Sequence, residues 1–447
     1  MKSFKRTMWI FFPLLLLSLG ALVSAQNEVV VTVDLSKEYQ TMKGFGAAIA
    51  WYDNWVTAHP NREGIYDAIF TDLGLDILRI QNWYGKSEPL GVDISSIVRA
   101  GRERLGDSFE ILMTSWVPTV ELKSNGSLGD GGTLKKVDGQ YAYDLFADYW
   151  YDSLQAYAEI GIIPDYISIQ NEPDYPAEWN AMLLAATETP LIAGYSQALD
   201  AVYDRLQEMD SPPKILGPEV IGLGYNTIQD FLKNMDLTKI DGIAYHLYHG
   251  GDHTKPDSFK FNMLNVASNY PDIPIFQTEF NRGTGFENAW LIHNSLTSGN
   301  VSAYLFWDLI WDQAGLVTVE FPWDRTRWQT EEGYFKTEHY YAVQHYSKYI
   351  SQGYQRVGTS TSRNDLLKTT AFIAPDQSQI TVVILNTSLK DELFRLELEN
   401  YTIVDSSVYI TEFGVKDGAA FADYGSLSDS GLNLPKQSAA TIVLHID

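Results

Sequence analysis

The chain is predicted to fold as a (β/α)8 barrel carrying a β-sandwich side domain built from an N-terminal strand and the C-terminal segment. Three features of the 447 residues lead there. Short β-rich runs recur eight times at helix-sized intervals, the mark of a parallel sheet wrapped by helices. After about Ser347 the long helices stop and alternating strands follow one another, as in a sandwich. The early strand Val29 to Val33 has that same alternating character, although it precedes the first barrel run.

At the N-terminus, Lys2, Lys5 and Arg6 precede an apolar run from Met8 to Val23 that ends in Val23-Ser24-Ala25. That is the pattern of an export leader, so residues 1–25 are expected to be a signal peptide. The mature chain is then secreted or periplasmic, with no membrane partner. There is no Cys, which excludes disulfides, thiolate metal sites and a cysteine nucleophile. An exported protein without cystines depends on the size of its core.

The eight runs are GFGAAIA from Gly44, DILRIQ from Asp76, EILMTS from Glu110, YISIQN from Tyr166, KILGPE from Lys214, IDGIAYH from Ile240, IPIFQTE from Ile273 and VSAYLFW from Val301. Amphipathic stretches lie between them: Arg62 to Leu73, Tyr143 to Ile160, Pro190 to Met209 and Ala289 to Ser298. An open doubly wound sheet is the competing fold, but neither GxGxxG nor GxxxxGK[ST] occurs. The barrel is assigned to 40–346, and the side domain to 26–39 together with 347–447. Its strands are expected at FIAP, QITVVILN, LFRLELEN, SSVYITEF and AATIVLHI.

The formal charge is −25, and losing the three basic leader residues makes it more negative still. Nucleic acid and anionic membrane are poor partners for such a surface, whereas a neutral ligand is acceptable.

Barrel chemistry sits at the C-terminal ends of the strands. Glu172 follows YISIQN and Glu279 follows IPIFQT, at the ends of strands four and seven. A retaining glycosidase needs two carboxyl groups about 5 to 5.5 Å apart, one to attack the anomeric carbon and one to protonate the leaving oxygen. Opposed strands of a barrel mouth can supply that pair, with Glu279 as nucleophile and Glu172 as acid/base. Pro173 disfavours helical geometry at Glu172 and is expected to hold it extended. Asn171 is suited to bond the sugar 2-hydroxyl. Arg79, ending strand two, is expected to pair with Glu279.

Aromatic residues follow the same strand ends, where their faces can stack on sugar rings and their polar tips find partners. They are Trp51, Tyr52 and Trp55 after strand one, Trp83 and Tyr84 after two, Trp116 after three, Tyr175 and Trp179 after four, Tyr245 and Tyr248 in six, and Trp307 and Trp311 after eight. Trp150 and Trp290 fall within helices and read as structural. The spacing of His246, His249 and His253 invites a metal reading that no HExxH supports. No metal is therefore expected, and His246 with Tyr245 is taken as a hydrogen-bonding residue of the pocket. A serine hydrolase is unsupported because no GxSxG elbow exists.

GFGAA on strand one, ISIQNEPDY on strand four, HLY on six, QTEF on seven and SAYLFW on eight resemble glycoside hydrolase family 30, nearest to its bacterial xylanases and glucuronoxylanases. The resemblance implies a barrel with a sandwich built from both termini, retention of configuration and no cofactor. It also implies a plant cell-wall polysaccharide, xylan, as partner, cleaved internally at β-1,4 links by a monomeric enzyme. A β-glucosidase, β-1,6-glucanase or β-fucosidase specificity is the alternative within the family. A non-catalytic carbohydrate-binding protein has no need of paired carboxylates. The glucuronoxylanases of the family carry an Arg after strand eight for the substrate carboxylate, where this chain reads FWDLIWDQAG. With Asp308 and Asp312 flanking Trp311, a glucuronate group is expected to meet repulsion, unless Arg282, Arg325 or Arg327 supplies the missing cation.

Overall fold

The computed structural model describes residues 28–447 apart from 88, 312–314, 325, 327, 364, 399–400 and 429. The expected signal peptide, Asp312, Arg325 and Arg327 lie outside the described residues.

Eight strands close into a parallel barrel in sequence order: Gly44–Ile49, Ile77–Gln81, Glu110–Thr114, Tyr166–Ser168, Lys214–Val220, Gly242–His246, Ile275–Glu279 and Val301–Phe306. Each expected run supplies one of them. The strands are buried almost throughout, as a sheet covered on both faces requires. Inward-pointing Ile77, Leu112, Tyr166, Leu216, Ala244, Phe276, Ala303 and Leu305 fill the interior, so the barrel is a packed core and not a pore. Strand one can lie close to strand two because Gly46 has no side chain: a Cβ there would collide with the Ile77 carbonyl oxygen.

The expected helical stretches form at Arg62–Tyr66 with a π turn continuing to Asp72, Tyr143–Glu159, Tyr195–Leu206 and Gly285–Thr297. The last starts at a capping box, where the Thr284 hydroxyl accepts from the Glu287 amide and the Glu287 carboxylate accepts from the Thr284 amide. Among the described residues no helix is long and apolar enough to cross a membrane.

The side domain is a nine-stranded hydrogen-bonded sheet that curls round a core of its own, from Val29, Val31 and Val33 to Ile442 and Leu444. Its N-terminal strand, Val29–Thr41, runs antiparallel to Gln355–Thr361 and parallel to Glu392–Leu398, so it is built into the C-terminal sheet as expected. Strand Gln355–Thr361 was not among the expected strands. Its sequence QRVGTST is polar, and its identity as a strand comes from the partner it finds on each side.

Candidate active site

Three strand ends bring carboxylates to the barrel mouth. Glu172 lies beyond strand four, Glu219 in strand five and Glu279 at the end of strand seven; all three are buried. Glu172 is not extended as Pro173 suggested. Its φ is 44°, in the left-handed region, and Glu219 is similar at 59°. Proline excludes the right-handed helical region but does not dictate the extended one. A 3.0 Å bond from the Glu172 amide to the Glu219 carbonyl oxygen, and a 2.8 Å bond from the Asn171 amide to the Ser115 carbonyl oxygen, fix the local path. Non-glycine residues hold such backbone angles only where their surroundings impose them, and these places are commonly functional.

Arg79 stands at the centre, fully buried. It donates to Glu279 Oε2 at 2.6 Å and to Asn171 Oδ1 at 2.6 Å, pairs with Glu219 Oε1 at 3.1 Å, and lies 4.3 Å from the centre of the Trp116 ring. The pairing with Glu279 is the one expected from the sequence. Tyr248 donates its hydroxyl to Glu279 Oε1 at 3.0 Å, so both oxygens of Glu279 accept a hydrogen bond. His246 Nδ1 is 2.9 Å from Glu172 Oε1, and its Nε2 is 3.7 Å from Glu219 and 3.9 Å from Glu279.

Burial opposes a charge on His246, but Glu279, Glu172 and Glu219 outweigh it and raise its pKa to about 9. Burial likewise disfavours a charged Glu219, yet Arg79 and His246 hold it down at about 2. Glu279 is pushed upward, first by burial and also by Glu172, against the pull of His246 and Arg79. One ligand atom each from Glu172, His246 and Glu279 lies within 4.8 Å of the others, a spacing compatible with a metal ion. The surrounding carboxylates favour the protonated imidazole, which has no free lone pair to offer a metal.

The two shifts predict a pH window for stability. Glu219 contributes fully above its unfolded value of 4.5, and the contribution is lost as pH falls through about 2. His246 contributes fully below 6.5, and its contribution is lost as pH rises through about 9. The contributions of these two groups are both complete between about 4.5 and 6.5. His246→Asn is expected to flatten the alkaline side of a melting-temperature profile. An unchanged alkaline side would remove His246 from that role.

Beside the carboxylates is a cavity of about 500 Å³, lined by Trp51, Tyr52, Trp116, Glu172, Tyr175, Trp179, Asn180, Ile221, Tyr248, Glu279, Arg282, Trp307 and Trp311. Of the expected aromatic contacts, Trp51, Trp116, Tyr175, Tyr248 and Trp307 are therefore at the cavity wall. Trp83 stands behind it, edge-on to Trp51 and donating to the Ala50 carbonyl oxygen. Tyr245 is a correction: it is fully buried and packs with the outer barrel core. Neighbouring strand residues face opposite ways, so with Ala244 and His246 inward Tyr245 must point toward the helices. Asn171 and His246 act from below the lining, and the Asn171 oxygen is engaged by Arg79, leaving its NH2 group as donor.

Asp308 is a second correction. It is 1% exposed, and burial together with the Glu279 charge raises its pKa well above the usual carboxylate range. Burial therefore disfavours a charge on it, and its side chain is not part of the cavity lining that a ligand would meet. Arg282, by contrast, is exposed on the cavity wall, its guanidinium 5.0 Å from the centre of the Tyr248 ring. Sequence reasoning missed Glu219, although an acid at the end of a barrel strand was the signal used for its two neighbours. A two-carboxylate mechanism gave no reason to look for a third.

Residues 353–442 match the glycosyl hydrolase family 30 beta sandwich domain. The side domain is that of glycoside hydrolase family 30. Similarity to family 30 proteins reaches well beyond this segment. The chain is 23% identical over 437 residues to glucuronoxylanase XynC of Bacillus subtilis, covering 93% of this chain and 92% of that one. Among solved structures, it shares its fold with the family 30 subfamily 8 xylanase Xyn30A of Clostridium acetobutylicum at a TM-score of 0.72 and 23% identity, over 93% of this chain and 99% of the other. The endo-β-1,6-glucanase BT3312 matches at a TM-score of 0.72 and 17% identity, over 93% and 94%. The fold shared with a family 30 structure thus extends over nearly the whole chain.

Proposed function

We propose that the chain is a secreted, retaining endo-β-1,4-xylanase, with Glu279 as nucleophile and Glu172 as acid/base. The observation that carries this reading is the short carboxyl separation, one oxygen of each within 4.8 Å. An oxygen pair this close suits double displacement, whereas inverting enzymes space their carboxyl groups about 6.5 to 9.5 Å apart to hold a water. In the first step a Glu279 oxygen bonds the anomeric carbon while the glycosidic C–O bond breaks, and Glu172 gives its proton to the leaving oxygen. In the second step water attacks that carbon, Glu172 takes the water's proton, and the ester to Glu279 breaks. Arg79 and Tyr248 orient the nucleophile by occupying one lone pair on each of its oxygens.

Xylan as substrate rests on the similarity to proteins named as xylanases, and internal cleavage on the exposed rings. Tyr175 and Trp179 rise from the loop after strand four, and Tyr52 and Trp311 from those after strands one and eight, across the barrel mouth. A chain running between them would pass over both carboxylates. The deciding test is reducing-sugar release from xylan, glucuronoxylan and β-1,6-glucan. Activity confined to β-1,6-glucan would replace the xylan reading with the other specificity. Proton NMR of the earliest product should show the β anomer before mutarotation. The α anomer appearing first would exclude double displacement.

With Asp308 buried and absent from the cavity lining, and Arg282 on the wall, a glucuronate branch is expected to be tolerated. Arg282→Ala should lower the rate on glucuronoxylan by about two- to fivefold relative to arabinoxylan, the range for one exposed charge. Equal loss on both substrates would take Arg282 out of anion recognition.

A further inference from the structure

The aromatic wall of the cavity does not stop at its rim. Tyr52 packs against Trp311 with ring centres 5.0 Å apart and against Trp55 at 4.7 Å. Trp55 meets Phe321 at 4.8 Å, and Phe321 meets Trp323 at 5.9 Å. The last of these rings is 65% exposed and is not part of the cavity lining. It ends a continuous file of rings that begins at the cavity wall.

The segment that carries Trp323 is docked, not loose. Ile310–Trp311, Val317–Val319 and Tyr334–Lys336 form a small sheet that pins both of its ends. Between them, the Trp328 ring stacks on His59 at 5.1 Å, and the Trp328 indole donates to the Phe321 carbonyl oxygen. The Tyr334 hydroxyl donates to the Gly64 carbonyl oxygen at 3.1 Å. Trp55, buried in the helix Asp53–Thr57, backs both Phe321 and Trp323. The segment after strand eight is thereby tied to the segment after strand one, and the ring at its tip is presented in advance of any ligand. Preorganisation of this kind spares a ligand the ordering penalty.

We propose that Trp323, supported by Phe321 and Trp55, is an outlying binding platform for the uncharged backbone of a polysaccharide, extending the cleft beyond the Tyr52–Trp311 pair. The inference rests on the glycoside hydrolase reading but not on which glycan is cleaved. An indole face stacks on the C–H face of a pyranose. The platform contributes only when the substrate is long enough to reach it.

The test compares the wild type with Trp323→Ala and Trp323→Phe on short and long oligomers of whichever panel glycan the wild type cleaves. Trp323→Ala should lower kcat/KM on the hexamer by about tenfold, mainly through KM, and leave the trimer unchanged. Trp323→Phe should restore most of the loss. Equal loss on trimer and hexamer would make the ring structural and overturn the platform. So would an unchanged hexamer-to-trimer ratio in Trp323→Ala, or a wild type that gains nothing from the longer chain. Failure to cleave xylan while another glycan is cleaved would overturn the proposed specificity and leave the platform to be judged on that glycan.

Discussion

Glu279→Ala is expected to abolish turnover on every substrate, a loss on the order of 10⁴-fold or more, because no covalent intermediate can form without the attacking oxygen. Glu172→Ala should behave differently. It removes proton transfer, worth about 10²- to 10⁴-fold on a natural glycoside whose leaving oxygen needs a proton. An aryl glycoside with an acidic phenol leaves without that help, so the first step survives and the intermediate accumulates. Added azide should then restore turnover by attacking the anomeric carbon without a base, yielding a glycosyl azide of β configuration. Near-wild-type xylan cleavage by either variant would refute the assignment. Azide rescue of Glu279→Ala with a β product would reverse the two roles.

The second large effect is expected at Arg79. Among the described residues it is the one guanidinium within reach of both Glu219 and Glu279, and all three groups are buried. Arg79→Met keeps much of the side-chain volume but leaves the two carboxylates facing each other's field with only the more distant His246 ring to offset it. Breaking a buried ion pair by removing one partner typically destabilises by about 3–5 kcal/mol. The penalty should shrink toward acid pH, where the stranded carboxyls accept protons and the unpaired charge disappears. Glu219→Gln combined with Arg79→Met should therefore be more stable at pH 7 than Arg79→Met alone, a non-additive result for neighbours in one network. Arg79→Lys should recover only part, since an ammonium cannot offer the planar fork that reaches Glu279, Glu219 and Asn171 together. Thermal melting of the wild type and the three variants at pH 7 and pH 4 is the measurement. A wild-type melting temperature for Arg79→Met would show that the cluster is not held by its arginine.

Periodicity and strand-end composition in this chain determined the barrel, its eight strands, the union of both termini in the side domain and the placing of Glu172 and Glu279 at the barrel mouth. These are properties that local sequence can encode: an apolar run between helical stretches has one way to bury itself, and the residue after it must emerge at the mouth. The pairing of Arg79 with Glu279 followed from the same rule. What depended on neighbours distant in sequence was decided by the tertiary structure alone. Strand Gln355–Thr361 exists because it lies between two partner strands, not because QRVGTST is apolar. Glu172 takes a left-handed backbone because Glu219, 47 positions away, accepts its amide hydrogen. Asp308 reads in sequence as a surface acid beside two tryptophans, and only the tertiary structure buries it and raises its pKa. Trp323 reads as one more residue of a long loop, and only the docking of that loop on Trp55 and His59 joins it to the cleft. Charge state and exposure are set by the surroundings a side chain meets in three dimensions, and linear spacing records neither.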